Sequence, residues 1–258
     1  MSILRSLRVC ACFAVLTAVV PSPAVAQHEA EFKRLAAQIA ADRRSGAEEN
    51  ASLFEYALSL LDRMVLNTLN VPAVPDLKIV NTQFALMTAQ PPVVGQGYQV
   101  VRVGGVPPVY ALVANFGVGG PSAVRVYRLV PGGNFRLLAH IDRFTQKDFF
   151  DDYLEVLPVE APSPLFVTVA GRTDELKSGA FIAWKITGEK LEQVWSTDIL
   201  TSSSYEPAPN GLLLTYCSDF PEDRPKACRK TTRERYSWDG KTWRRDEQAT
   251  LPAPAQKN

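Results

Sequence analysis

The chain has 258 residues, of which 46% are hydrophobic, 21% charged and 9% aromatic, with 19 prolines and 15 glycines. This composition excludes a collagen, a coiled-coil rod and a wholly disordered polypeptide. The formal net charge of +1 provides no strongly basic surface, so the sequence predicts no nucleic-acid partner.

The N-terminal residues 1–26 have the pattern of a secretory signal peptide. Arg5 and Arg8 precede an apolar run at 9–20, and the small residues Ala24-Val25-Ala26 form a cleavage site. The run is shorter than the ~20 apolar residues that span a bilayer, and no later segment approaches that length. We therefore predict no membrane span and expect an exported protein, periplasmic or secreted.

Two helices are predicted in residues 27–76, an N-terminal helical element with a short linker. The first is indicated by apolar residues at helical spacing, Phe32, Leu35, Ala36, Ile39 and Ala40. Ser45-Gly46 interrupts that pattern. Ser52 and Glu55 have the spacing of a capping box, which predicts the start of the second helix. Its wide apolar stripe indicates that the helices cover a sheet.

From Leu77 the pattern changes to short apolar runs separated by turn residues, which is typical of an antiparallel all-β domain. We predict this domain over 77–250, followed by a disordered tail at 251–258. Strands are expected at 78–88, 97–103, 108–115, 122–130, 134–141, 152–158, 164–170, 179–187, 190–197, 203–206, 211–217, 231–238 and 241–247.

A short pattern recurs three times in this domain. It consists of an aromatic residue, a glycine turn and a following apolar residue; the aromatics are Tyr127, Trp184 and Tyr236, and the apolar residues are Phe135, Leu191 and Trp243. A nearly continuous apolar strand lies upstream of each. The pattern predicts three four-stranded units, at 97–141, 152–197 and 203–247. In each unit we expect a buried aromatic that faces the apolar residue after its turn.

Four short strands repeated at a period of roughly 50 residues resemble the blades of β-propeller proteins. The resemblance covers residues 97–248 and implies a mainly β fold of antiparallel four-stranded units, preceded by two N-terminal α-helices. No motif of a named propeller family is present. Because closed propellers usually need at least four blades, an incomplete array, a sandwich and a curled meander stay open as alternatives.

Two cysteines remain after the signal peptide, Cys217 and Cys228, and an even pair in an exported chain predicts one disulfide. They flank a polar loop, containing Pro221 and Pro225, that cannot pack on itself. A zinc site would need further cysteine or histidine ligands nearby, so no metal and no cofactor is predicted.

An acidic stretch between the first two units is the strongest candidate ligand site. Its carboxylates, Asp142, Asp148, Asp151 and Asp152, are of the type that binds a hard cation. They lack the alternating spacing that aims oxygens at one point, so a solvated turn is the favoured interpretation. Trp195, at a strand end outside the repeat-equivalent positions, is the aromatic that could stack on a ligand.

The residues needed for known catalytic sets are scarce. A serine nucleophile needs a base, and His140 is the only histidine within the three units. We therefore expect a non-catalytic extracytoplasmic binding or scaffolding module with a protein or carbohydrate partner. The alternative is a carbohydrate-active hydrolase that uses Asp or Glu carboxylates, since 27 acidic residues allow a catalytic pair.

Overall fold

The computed structural model describes residues 23–45, 50–71, 75–87, 96–116, 122–142, 153–157, 166–172, 178–219 and 228–252. Three helices come first: α1 (Pro23–Arg44), α2 (Ala51–Leu69) and α3 (Leu77–Met87). None of these helices combines the length and the apolarity that crossing a bilayer requires.

Twelve strands follow and form three four-stranded sheets. Sheet A contains β1 (Gln96–Gly104), β2 (Val109–Phe116), β3 (Ser122–Leu129) and β4 (Phe135–Asp142). Sheet B contains β5 (Tyr153–Leu157), β6 (Phe166–Arg172), β7 (Gly179–Thr187) and β8 (Lys190–Ser196). Sheet C contains β9 (Ser204–Ala208), β10 (Gly211–Asp219), β11 (Lys230–Trp238) and β12 (Trp243–Pro252).

Each sheet is an antiparallel meander in which every strand pairs only with its neighbours in the chain. The mainly β class and the antiparallel four-stranded sheets are confirmed. The sheets coincide with the three predicted units. Among the strands described, no closed barrel or propeller is formed. Strand β12 extends to Pro252, two residues into the predicted tail.

The predicted strand at 78–88 is wrong, because this segment forms helix α3. Its buried residues Val80, Phe84 and Met87 recur at intervals of four and three, which is the period of a helix face. These side chains join the core that α2 shares with sheet A. The described residues therefore form three helices before the first strand, where two were predicted.

The N-cap of helix α2 is Asn50, two residues before the predicted cap Ser52. The Asn50 side-chain oxygen accepts a hydrogen bond from the Leu53 N–H at 3.2 Å. Ser52 is instead the second residue of the helix. Asparagine is as good an N-cap as serine, so the first-turn amides are satisfied without the predicted capping box.

The third hairpin of every sheet is built in the same way. The register shifts by one residue just before the repeated aromatic of the third strand: at Val126/Tyr127, Ala183/Trp184 and Arg235/Tyr236. The following turn contains a glycine with positive φ: Gly132 at 106°, Gly188 at 58° and Gly240 at 99°. A β-bulge and a glycine turn therefore recur at equivalent positions in sheets A, B and C.

The expected contact between each aromatic and its apolar residue is wrong by one position on the strand face. Phe135, Leu191 and Trp243 lie opposite Leu129, Ile186 and Trp238, which are two residues after the aromatics. Burial also differs among the three aromatics. Tyr127 is 0% exposed, whereas Trp184 and Tyr236 are half-buried.

Three hydrophobic cores join the elements in a layered order of helices, sheet A, sheet B and sheet C. The first core lies between the helices and one face of sheet A, and contains Phe32, Leu61, Phe84 and Tyr127. The second lies between sheets A and B, and the third between sheets B and C. Helices thus cover the first sheet, while among the described residues the last sheet contributes one face to a core.

Three asparagine side chains cap sheet edges by hydrogen bonding to both backbone groups of a strand residue. Asn81 of α3 pairs with Val100 of β1 at 2.9 and 2.8 Å, and Asn70 pairs with Phe135 of β4 at 3.2 and 2.6 Å. Asn115 of sheet A pairs with Leu154 of β5 at 3.0 and 2.8 Å. Each amide takes the place of one peptide unit of a neighbouring strand.

Candidate functional site

The predicted acidic stretch falls almost entirely outside the described residues. Asp142 is the last residue of β4, where its backbone pairs with Ala123, but its side chain lies outside the described part. Asp148, Asp151 and Asp152 also lie outside it. Over the described ranges, no group of three or more His, Cys, Asp or Glu side chains is placed to hold a metal ion.

Trp195 lies on β8 and belongs to an aromatic cluster between sheets B and C. Its ring stacks on Trp243 with centroids 5.1 Å apart and contacts Tyr236 at 4.9 Å. Phe166 extends the cluster toward Trp243 at 5.4 Å. The half-buried Trp195 therefore packs sheet B on sheet C, and its role in binding a ligand stays a prediction.

Cys217 and Cys228 form the predicted disulfide, with their sulfur atoms 2.00 Å apart. The bond closes the connection between β10 and β11, at the end of the hairpin where the chain leaves sheet C. An intramolecular disulfide fits an extracytoplasmic compartment.

A buried ionic cluster connects α2 to sheet A. Asp62 of α2 accepts hydrogen bonds from Arg125 at 2.7 Å and from the Tyr127 hydroxyl at 2.6 Å. Burial opposes the charge of Arg125, but the hydrogen bond and the attraction of Asp62 outweigh it and raise the arginine pKa. Burial and the charge of Asp62 raise the pKa of Tyr127 well above its ordinary value.

A second buried carboxylate lies in sheet C. Glu234 of β11 accepts hydrogen bonds from the Tyr236 hydroxyl and from Arg245, both at 2.8 Å. Burial raises the pKa of Tyr236, and the hydrogen bond to Glu234 adds to the effect. Burial and the negative charge of Glu234 also raise the pKa of Tyr216. Asp62 and Glu234 are thus held by tyrosine and arginine donors, as structural carboxylates are.

A surface cavity of about 590 Å³, which we name the AB crevice, lies where the β3–β4 hairpin of sheet A meets the β7–β8 turn of sheet B. The β3–β4 hairpin contributes two arginines and several apolar residues to the crevice, and the β7–β8 turn contributes a glycine and a glutamate. The crevice is lined by Arg128, Leu129, Val130, Pro131, Arg136, Leu137, Leu138, Gly188 and Glu189.

Arg128 and Arg136 are direct cross-strand partners in the AB crevice. One guanidinium N–H of Arg128 donates to the Gly188 carbonyl, which holds that side chain across the junction of the two sheets. Within the described part of the chain, neither arginine forms an ion pair with a carboxylate. Two like charges therefore face each other, and no described carboxylate lies within ion-pair distance of either one.

A larger cavity, about 700 Å³, lies on the outer face of sheet C and also contains two arginines. There Arg233 pairs with Glu206 at 3.3 Å, and Arg235 lies 4.0 Å from Asp246. Because the protein supplies carboxylates to these arginines, this cavity offers less free positive charge than the AB crevice. The AB crevice is the better candidate site.

No protein-family model, curated protein or solved structure matches the chain. The assignment of a site therefore depends on the chemistry of the described residues. The AB crevice was not predictable from the sequence, because the pairing of Arg128 with Arg136 depends on strand register. Asp62 was not predicted either, although a carboxylate inside the apolar stripe of α2 was a visible signal.

Proposed function

We propose that this protein is an exported, non-catalytic binding module, periplasmic or secreted, and that it binds its ligand in the AB crevice. The observation that carries this proposal is the pair of arginines, Arg128 and Arg136, neither of which forms an ion pair with a described carboxylate. The buried carboxylates Asp62 and Glu234, by contrast, are occupied by hydrogen-bond donors from the protein itself.

Export is supported by the signal-peptide pattern at 1–26 and by the Cys217–Cys228 disulfide. The expected cleavage point after Ala26 lies in the first turn of α1. Among the side chains of this helix that the structure describes, the buried ones, Phe32, Leu35 and Ile39, follow that point and would stay with the mature chain. Cleavage is therefore compatible with the first core.

The proposed architecture is an incomplete array of propeller-like blades that the helices cap at one end. The recurring bulge and glycine turn in sheets A, B and C support equivalent units. The layered packing of consecutive sheets supports an array, in which each unit covers the next. In such scaffolds ligands commonly bind at junctions and turns, because the sheets hold these segments in place.

The expected partner is a protein or a carbohydrate, and guanidinium groups offer a chemistry common to both. Planar, bidentate donors bind carboxylates, which occur on acidic sugars, on acidic side chains and at peptide C-termini. The AB crevice of about 590 Å³ has the volume of a small-ligand site, so it would accept one such group rather than an extended chain.

A fragment screen by methyl NMR tests binding in the crevice, because Leu129, Val130, Leu137 and Leu138 all carry reporter methyl groups there. The library should contain neutral, cationic and anionic fragments. We expect bound fragments to shift these methyl signals and to be recovered unchanged. The absence of any fragment that shifts them, or conversion of a bound fragment into product, would contradict the proposed function.

N-terminal sequencing of the native mature protein tests the proposed export. We expect the sequence to begin at Gln27, since Ala24-Val25-Ala26 is the predicted cleavage site. A retained Met1 on the native protein would overturn this part of the proposal while leaving the AB crevice unaffected.

A further inference from the structure

We infer that the AB crevice recognises a single carboxylate attached to an apolar group. Arg128 and Arg136 would bind the carboxylate, and Leu138 would contact the apolar group. This inference rests on the proposed function and names the ligand chemistry of the same site. The shared chemistry occurs in free carboxylic acids and in peptide C-termini that end in an apolar residue.

The charge arrangement indicates an anionic ligand. Residues directly opposite each other in an antiparallel pair have Cα atoms roughly 4.5–5.5 Å apart, so like charges there are destabilising. Arg128 and Arg136 occupy such a pair on β3 and β4. An anion placed between the two guanidiniums would remove the repulsion and gain charge-assisted hydrogen bonds.

The contact of Arg128 with sheet B favours binding by a preorganised site. Its donation to the Gly188 carbonyl fixes one guanidinium across the crevice before any ligand is present. A guanidinium has five N–H donors, so others stay available to a ligand. Arg136 is exposed and needs only to complete the pair.

The apolar residues of the crevice indicate what the carboxylate is attached to. Leu138 is the extra residue of the sheet A bulge and is only partly buried against the core between sheets A and B. Covering the Leu138 side chain with an apolar group would remove further hydrocarbon surface from water.

Glu189 limits the charge of the ligand. This exposed residue lies on the sheet B side of the crevice and opposes the two arginines. The three side chains together leave one net positive charge, which suits a monocarboxylate better than a polyanion. Replacing Glu189 with glutamine should therefore strengthen the binding of a carboxylate, whereas losing an arginine should weaken it.

Titration calorimetry or methyl NMR on the full chain can test these points with four probes. 3-Phenylpropionate represents a free acid, N-acetylphenylalanine a peptide C-terminus, N-acetylphenylalaninamide the neutral equivalent, and glucuronate a carboxylate without an apolar group. We expect the first two to bind at least about 10-fold more tightly than the amide and glucuronate. The tighter of the first two identifies the source of the carboxylate.

Three variants locate the binding energy. Arg136→Gln should weaken the binding of 3-phenylpropionate and N-acetylphenylalanine by about 10-fold or more, and Glu189→Gln should strengthen it by about 2- to 5-fold. Arg233→Gln, on the outer face of sheet C, removes the same charge outside the crevice and should leave the affinity unchanged. Opposite effects at positions 136 and 189 cannot arise from general destabilisation.

Equal affinity for the carboxylates and the amide, or for 3-phenylpropionate and glucuronate, would overturn the inference. So would an Arg136→Gln variant that binds like the wild type. If any of these results is obtained but neutral or cationic fragments still shift the crevice methyl signals, the proposed binding function stands and only the ligand chemistry is wrong. If no fragment shifts them, both proposals fail.

Discussion

Sheets A and C each place a tyrosine of the third strand against a buried carboxylate, but the carboxylate comes from a different element in each. Tyr127 donates to Asp62 of α2, so its hydrogen bond crosses from one layer to the next. Tyr236 donates to Glu234 of its own strand, so its bond stays within sheet C. Both tyrosines follow the β-bulge of their sheet, but Tyr127 connects two layers whereas Tyr236 stabilises a single sheet.

The arginine that pairs with Asp62 is also more deeply buried than the arginine that pairs with Glu234. The side chain of Arg125 is 7% exposed between α2 and sheet A, whereas that of Arg245 is 51% exposed on β12. Removing the partner of a solvent-exposed charge costs little stability, because water can take the partner's place. Removing the partner of an enclosed charge costs much more, because the charge is left buried without an opposite charge. Equivalent mutations should therefore have unequal effects, and four experiments can test that difference.

The largest difference is expected between Tyr127→Ala and Tyr236→Ala. Removing the fully buried ring of Tyr127 should lower the free energy of unfolding by ~3–5 kcal/mol, because it leaves a cavity in the first core. Removing the half-buried Tyr236 should cost about half as much. Urea unfolding of the two variants measures both losses, and equal losses would contradict the comparison.

A second pair of mutations compares the carboxylates. Asp62→Ala leaves the charge of Arg125 buried and should cost ~3–5 kcal/mol of stability. Glu234→Ala should cost only ~1–3 kcal/mol, because Arg245 can turn to solvent. The matched control is Glu55→Ala, since Glu55 is 52% exposed and lies 3.8 Å from the same Arg125.

The control should change the free energy of unfolding by less than ~1 kcal/mol, as exposed ion pairs do. Chemical denaturation under identical salt conditions gives all three values. If Asp62→Ala costs no more than Glu55→Ala, the cluster does not stabilise the packing of α2 on sheet A.

The asparagine bridges allow a comparison of buried and half-buried sheet edges. Asn115→Ala should cost ~2 kcal/mol, because it leaves the buried N–H and carbonyl of Leu154 without their partners. Asn81→Ala exposes the Val100 groups of a part-buried edge to water and should cost ~1 kcal/mol. Thermal unfolding and hydrogen exchange at the Leu154 amide report the effects. An unchanged exchange rate there would exclude the bridge.

The fourth effect is expected in the dependence of stability on alkaline pH. The pKa values of Tyr127 and Tyr236 are raised in the folded protein, mainly by burial. Above the ordinary tyrosine pKa of ~10, the unfolded chain loses protons that these folded tyrosines retain. Stability is therefore fully present below pH ~10 and falls as the pH rises, by up to ~1.4 kcal/mol per pH unit for each tyrosine.

Tyr127→Phe and Tyr236→Phe should each reduce the dependence of the free energy of unfolding on pH by the contribution of the replaced tyrosine. Urea melts at several pH values between 9 and 11 measure it, with the wild type as the reference. A slope that neither substitution changes would show that other groups cause the alkaline loss.

The strands were largely predictable from sequence because their determinants are local. Gly132, Gly188 and Gly240 mark turns that require positive φ, and apolar runs on either side mark the strands. Helix α3 was not predicted because it is only eleven residues long and includes β-branched side chains, which favour strands. Its correct signal was the spacing of Val80, Phe84 and Met87.

The candidate site was not predictable in the same way, because it is formed by register and by packing between sheets. A one-residue difference in the β3–β4 register would separate Arg128 from Arg136, and the sheet A bulge sets that register. Likewise, nothing local to Arg128 indicates that Gly188 lies within its reach, since sixty residues separate them. The acidic stretch drew attention because its residues are consecutive, which is a weaker guide than spatial proximity.

The meander topology has a consequence for the order of folding. Since every strand pairs with a chain neighbour, each sheet can form from one continuous segment, without waiting for distant parts of the chain. The cysteines also belong to one hairpin and are separated by only 11 positions. Oxidation can therefore occur once sheet C has formed, independently of the docking of the sheets. Slow steps should belong to the stacking of the layers, where contacts such as Asp62–Arg125 span 63 residues.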